Sequence, residues 1–358
     1  MILETHSRIL IIKPSSLGDV IHTLPLVHAL KRCRPGCHIG WVVQQASASL
    51  LRHDSTVDTV HEIDVPSTSD PQAGRGAYGR ALCGTVSAWR DLRRQLRVAP
   101  YDLVLDLHAS WRSALFALLN PGGCRIGFAD AREGNTLIQH EQVPVSRPMH
   151  ALEKNNLFAA HLGCPVQEED LRLPVGEGPR QQVDDFLAKL GQAGQQRLVC
   201  LNPTARWASK FWTVAGWAEL ADLLAQEAGA TVLFGGSPSD LPYIERIVAA
   251  ARSTPIVAAG RLDLAGTAAL LQRIDVYVGL DSGPMHMAAM AGRPVVAMFG
   301  PTNPELVGPY GPGHRVLRRG ELACLGCRRR QCPAPICLHG ITAQSVFAAV
   351  REVSPWND

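Results

Sequence analysis

Three short stretches hold side chains that could act together on a phosphorylated sugar. The first, KPSSLGD (Lys13 to Asp19), offers two serine hydroxyls, a glycine that allows close approach to the backbone, and one carboxylate. At the start of a helix the Asp19 carboxylate stays ionised, because the helix end stabilises negative charge. An ionised carboxylate there can serve as general base for a sugar hydroxyl; alternatively it simply caps the helix. The second stretch, NPTARWASKFW (Asn202 to Trp212), has Thr204, Arg206 and Lys210, a hydroxyl and two cations suited to a diphosphate leaving group. Lys210 has the alternative of being a solvated surface lysine, and Trp212 reads as core. The third lies in VYVGLDSGPMHMAAMAGRPVVAMF (Val276 to Phe299) and supplies Asp281, Ser282, Gly283 and His286. Backbone N–H groups at such a turn suit a phosphate or pyrophosphate. Asp281 would repel a phosphate and is better matched to sugar hydroxyls, while His286 can face the same point from the helix. The competing reading of the third stretch is an ordinary strand-to-helix connection.

Each stretch needs a strand before it and a helix after it. Arg8–Ile12 is an apolar strand, followed by a helical pattern from Val20 to Arg32 with Pro25 an irregularity. Strands are expected at 39–43, 57–63, 101–107 and 124–128, with helices at 88–96 and 111–119. Residues 66–84, rich in Gly, Ser and Pro, read as a flexible loop. The run LPVGEG (Leu173 to Gly178) reads as a linker, after which the pattern restarts with strands at 198–202, 231–234, 256–258 and on either side of the third stretch. In that stretch Ser282 occupies an N-cap, Pro284 the first turn and Gly292 the helix stop. Short buried strands alternating with helices specify parallel α/β sheets. Two doubly wound halves with a cleft between them is the simplest architecture. Residues 1–175 and 176–340 form the two domains, and 341–358 a terminal helix that can pack back on the first. Ligands in such sheets bind beyond the carboxyl ends of strands, where all three stretches lie.

The 358-residue chain is 46% hydrophobic and 19% charged, ordinary for a globular protein. A net charge of +3 is too small to argue for nucleic acid. With no signal-peptide pattern and no apolar run long enough to span a bilayer, a cytoplasmic protein is expected, one able to visit a membrane surface. Its ten cysteines are then mostly reduced core thiols. The exception is the C-x2-C-x4-C-x4-C spacing of Cys324, Cys327, Cys332 and Cys337, which admits structural zinc or iron, disulfides or free thiols. Arg328, Arg329 and Arg330 inside it form a basic patch, either solvated or facing anionic lipid phosphates.

KPSSLGDVIHTLP, the loop ending SKFW, and GLDSGPMHMAAMAGRPVVAMFGPTNP together resemble the family 9 glycosyltransferases, the ADP-heptose:lipopolysaccharide heptosyltransferases. The resemblance spans nearly the whole chain. It implies a GT-B fold, two Rossmann-like domains facing a central cleft, and inverting, metal-independent transfer of heptose from ADP-L-glycero-D-manno-heptose to the lipopolysaccharide inner core. It also implies a lipid A–Kdo type acceptor and peripheral contact with the inner face of the cytoplasmic membrane. By this similarity Asp19 is the base, Thr204 and Lys210 hold the diphosphate, and Asp281 binds heptose hydroxyls. Ser282 and Gly283 form the phosphate turn, with His286 following in the helix. Leu262 lies where relatives contact adenine. On the acceptor side stand Ser15, Ser16, Gly18 and Arg132. Heptosyltransferase I relatives carry clustered basic residues in the loop after the third strand, where this chain has only Arg75 and Arg80. Which heptose is added therefore stays open. The alternatives are another nucleotide sugar or a non-lipopolysaccharide acceptor, and a non-catalytic sugar-nucleotide-binding protein. A nicotinamide oxidoreductase is disfavoured because no G-x-G-x-x-G follows the first strand.

Overall fold

The computed structural model describes residues 7–65, 77–191 and 197–356, without the side chains of 77–83. Arg75 lies outside the described residues, as do the side chains of Arg80 and Cys83. The chain divides into two compact units, Met1–Pro174 and Val175–Asp358, with the boundary inside the LPVGEG run.

Unit 1 holds β1 (Arg8–Ile12), β2 (His38–Gln44), β3 (Thr59–Ile63), β4 (Leu103–Asp106), β5 (Cys124–Phe128) and β6 (Glu141–Val143), in the order β3-β2-β1-β4-β5-β6. Unit 2 holds β7 (Leu198–Asn202), β8 (Thr231–Phe234), β9 (Ile256–Val257), β10 (Val276–Leu280), β11 (Val295–Met298) and β12 (Arg315–Leu317), in the order β12-β11-β10-β7-β8-β9. Every neighbouring pair is parallel. Both orders are the doubly wound one, in which the chain leaves the centre first to one side and then to the other. This creates a switch point between β1 and β4 in unit 1, and between β7 and β10 in unit 2. The central strands are continuous apolar runs because helices cover both faces: β7 and β10 are buried along their whole length, and β1 at all but its first residue.

Most expected elements are present within a residue or two. Three differ for physical reasons. The helix expected over 20–32 is two, Leu17–Ile21 and Leu24–Cys33, because Pro25 can occupy a first turn but not a helix interior. The expected loop over 66–84 gives way to helix from Ala77, which runs to Val98. Leu92 and Leu96 seat its later turns in the unit 1 core, and Arg90, Arg93, Arg94 and Arg97 stay exposed. The terminal helix, Ala343–Val353, belongs to unit 2. Its apolar residues Val346, Phe347 and Val350 join the core of helix Val214–Gln226 and β11. The Trp212 indole supports that assembly from within, 2% exposed and donating to the Ile341 carbonyl at 3.0 Å.

Strands β6 and β12 and helix Ala151–His161 are absent from the sequence reading. The two strands are three residues long and lie at sheet edges, so they carry no apolar run. The helix is barely amphipathic; it buries Leu152, Phe158 and Ala159 and adds polar contacts, Asn155 Nδ2 donating to Thr23 Oγ1 at 3.0 Å and to the His22 carbonyl at 3.2 Å.

Candidate active site

The unit 1 half-site grows from the ends of β1 and β4. Loop 13–16 leaves β1 and enters helix Leu17–Ile21, whose N-cap is Ser16. Asp19 turns back on that cap, its Oδ2 accepting from the Ser16 amide at 2.9 Å and the Ser16 hydroxyl at 2.7 Å. Its Oδ1 lies 3.5 Å from Lys13 Nζ. Lys13 is itself buried, and its Nζ crosses the switch point to donate to the Leu107 carbonyl at 2.7 Å.

Burial is the largest influence on Asp19 and raises its pKa; the charge of Lys13, the Ser16 hydroxyl and amide, and His22 lower it. With 42% of the side chain still open to solvent, burial is the weaker side, and the carboxyl is held well below the ordinary carboxylate range. The carboxylate is therefore both a cap and an accessible group held in its ionised form at neutral pH. One oxygen serves the cap and the other faces the lysine.

The β4 loop adds a group not anticipated from the sequence. Burial and Lys13 push the His108 imidazole down, against Asp19 and Asp106, which favours the neutral ring. Asp106 organises this loop, its Oδ1 accepting from the His108 and Ala109 amides at 3.1 Å and its Oδ2 from Ser113 Oγ at 2.9 Å and Asn135 Nδ2 at 2.6 Å. Arg132, after β5, donates its amide to the Ala109 carbonyl at 3.3 Å and has an exposed side chain. Ser15 and Ser16 are half-buried, and Gly18 is buried with its carbonyl accepting from the His22 amide.

The unit 2 half-site grows from the ends of β7 and β10. Lys210 Nζ crosses that switch point, donating to Asp281 Oδ2 at 2.7 Å and to the Asp281 carbonyl at 3.0 Å. It also lies 4.5 Å from the Trp207 ring centroid. The solvated-surface reading of Lys210 is overturned: the side chain is 13% exposed and that of Asp281 9%. Two of the three ammonium N–H groups go to Asp281. His286 Nε2 is 3.9 Å from Asp281 Oδ1, and Thr204 is buried at the start of the β7 loop. Ser282 caps helix Gly283–Met290 with extended backbone, and Gly292 at φ +70° closes it, its amide donating to Ala289 and that of Arg293 to Ala288. The buried Ser282 hydroxyl has no hydrogen-bond partner of normal geometry.

Lys210, Asp281 and His286 thus meet, with Ser282 and Gly283 at the adjoining turn. Arg206 is exposed and outside this group. Leu262 also stands apart, on the loop after edge strand β9. There it lines a groove of about 680 Å³ with Phe186, Ile256, Val257 and Arg261. The Thr302 hydroxyl, on the loop after β11, is buried without a partner; its motif, GPTNP, was visible in the sequence without a role. Among the described residues no group of His, Cys, Asp or Glu is arranged to hold a metal ion. Cys324 and Cys327 are exposed and Cys332 and Cys337 half-buried, all four as free thiols. Prolines 333 and 335 lead into the short helix Ile336–His339, which carries Cys337. Burial, and then the neighbouring thiols Cys324 and Cys327, push the Cys337 thiol up.

Residues 89–337 match glycosyltransferase family 9 (heptosyltransferase). The chain is 30% identical over 335 residues to lipopolysaccharide heptosyltransferase 1 of Pseudomonas aeruginosa, covering 91% of this chain and 87% of that one. The glycosyl transferase family 9 structure from Veillonella parvula superposes with a TM-score of 0.81 at 23% identity, over 97% of each chain. Escherichia coli heptosyltransferase WaaC, solved with ADP, gives 0.73 at 25% identity, covering 97% of this chain and 100% of that one. These likenesses bear out the GT-B class of fold.

Proposed function

The chain belongs to glycosyltransferase family 9, the heptosyltransferases, and on that premise we propose that it transfers heptose from ADP-heptose to the lipopolysaccharide core, with inversion and with Asp19 as general base. The observation that carries this reading is the convergence of Lys210 on Asp281 across the β7/β10 switch point. It puts a cation, a carboxylate and a phosphate-type turn at one place, which is what an ADP-sugar with a hydroxyl-rich ring would meet.

In the proposed reaction an acceptor hydroxyl loses its proton to Asp19 as its oxygen bonds to the anomeric carbon. The bond from that carbon to the β-phosphate oxygen breaks, and ADP leaves with the electron pair. Lys210 offsets the charge that develops on the diphosphate, assisted by Ser282, Gly283 and Thr204. Asp281, with His286 behind it, orients the heptose hydroxyls, and Leu262 packs against adenine. A carboxylate is too weak a base to ionise a sugar hydroxyl in advance. Proton transfer must accompany C–O bond formation, as the hydroxyl becomes acidic. Ser15, Ser16, Gly18 and Arg132 are proposed to receive the acceptor.

The exposed arginines of helix 77–98 favour peripheral contact with an anionic membrane surface; among the described residues no helix is long and apolar enough to cross one. Zinc or iron at Cys324, Cys327, Cys332 and Cys337 is retained as a proposal of structural support only. The thiols do not surround a common point here, and no step of transfer is assigned to them; elemental analysis of the purified chain tests it.

A calorimetric comparison of ADP, ADP-heptose, UDP-glucose and NAD tests the function. Selective binding of the two adenosine diphosphate ligands is expected. Preference for UDP-glucose or NAD would overturn the choice of donor.

A further inference from the structure

The cysteine-rich segment is bonded into the unit 2 half-site. Ser209 is 3% exposed; its hydroxyl donates to the Arg329 carbonyl at 2.6 Å and its amide to the Arg330 carbonyl at 3.2 Å. The next residue is Lys210. The Arg330 guanidinium lies 5.9 Å from the centroid of the same Trp207 ring that Lys210 approaches. The segment is also tied to the loop after β11, the Gly326 amide donating to the Gly300 carbonyl at 2.9 Å and the Arg328 amide to Pro301 at 2.8 Å. A Cβ at position 300 would collide with Leu338 Cδ2 and, at 2.5 Å, with Cys337 Sγ, so glycine is what lets the end of the segment and the residue after it lie so close.

Residues 208–210 form a single 3-10 turn with no side-chain cap. So short a turn has few hydrogen bonds of its own, and its placement comes from outside. Two of those outside bonds end on the cysteine-rich segment, 120 residues away in sequence.

From this geometry we propose that segment 324–337 positions the donor site, with Ser209 the positioning residue that sets Lys210, and that any change moving this segment lowers affinity for a nucleoside diphosphate. The inference rests on the reading of Lys210 as a diphosphate ligand.

The test uses the full chain with ADP as probe, comparing wild type, Ser209→Ala, Ser209→Thr, Gly300→Ala and Lys210→Ala by calorimetry, thermal melting and steady-state kinetics. Ser209→Ala should bind ADP about five- to tenfold more weakly, the scale of one lost buried hydrogen bond, and raise the donor KM more than it lowers kcat. Ser209→Thr, which keeps the hydroxyl, should restore most of the affinity. Gly300→Ala, which displaces the segment without touching Ser209, should weaken ADP in the same direction. Wild-type ADP affinity in Ser209→Ala, with Lys210→Ala impaired, would overturn the positioning role; a lowered melting temperature alone would reduce Ser209 to packing. Wild-type affinity in Lys210→Ala would instead remove the diphosphate reading, and this inference with it.

Discussion

The two units share one device and deal its charges differently. In each, a lysine on the loop after the first strand of the unit crosses the switch point and donates to a backbone carbonyl: Lys13 to Leu107, Lys210 to Asp281. In unit 1 the carboxylate beside the lysine is Asp19, in the helix that directly follows the lysine's loop, 42% exposed and 3.5 Å away. In unit 2 it is Asp281, 71 residues further along the chain, 9% exposed and 2.7 Å away. The open, loosely paired carboxylate is the one suited to exchanging a proton with a ligand. The closed pair, its charges already matched, is suited to holding a fixed electrostatic frame for a ligand that arrives charged.

The largest test of that contrast is Asp19→Asn, which keeps the size of the side chain and removes the base. Turnover should fall by roughly two to four orders of magnitude, with ADP affinity unchanged by calorimetry. Near-normal turnover would leave Asp19 as a helix cap and erase the functional difference between the two carboxylates.

Next comes Lys210→Met, which strands Asp281 in a buried setting. Breaking such a pair costs up to about 3–5 kcal/mol, so the melting temperature should drop along with ADP affinity and transfer. Adding Asp281→Asn should return most of the stability but not the affinity, and the double-mutant cycle measures the coupling. Recovery of ADP binding in the double variant would mean that the pair serves packing alone.

The pH profile sharpens the comparison. A carboxyl held below its unfolded value of 3.8 contributes stability above that pH and loses it only as pH falls through the lower, folded value. The acid limb of kcat/KM assigned to Asp19 should therefore lie below the ordinary carboxylate range, leaving the profile flat down to about pH 5. Lys13→Met removes the nearest opposing charge and leaves burial in place, so the limb should move upward. A limb that stays put would show that Lys13 serves only the Leu107 carbonyl.

The smallest effect expected is from Ser16→Ala. Its hydroxyl is one of two bonds to Asp19 Oδ2, and the amide bond survives. About 1 kcal/mol of stability should be lost with that hydrogen bond, or a few degrees in a thermal melt, with the acceptor KM raised and kcat changed little. An unchanged acceptor KM would leave Ser16 as a helix cap and remove it from the acceptor side.

Much of unit 1's site could be read locally. Ser16 and Asp19 are three residues apart, so the turn they make follows from short-range geometry, as do the Ser282 cap and the Gly292 stop. Trp212 was legible as core because a large aromatic beside an amphipathic run is most stably buried. The role of Lys13 was not legible: in the sequence it is a cation before a proline, and its partner at Leu107 is a backbone carbonyl, which no residue type announces. Ser209 was hidden for the same reason, since its partners are the carbonyls of Arg329 and Arg330.

The sequence by itself determined the central elements and their alternation, the three chemical loops after strands, and the family, because periodicity, caps and contiguous motifs are short-range properties of the chain. Only the tertiary structure decided which loops meet. The switch points placed the β1 loop beside that of β4 and the β7 loop beside that of β10, so Lys210 became the buried partner of Asp281 instead of a solvated lysine. Strand order arises from long-range burial of two-faced sheets, and that is settled by the folded chain as a whole.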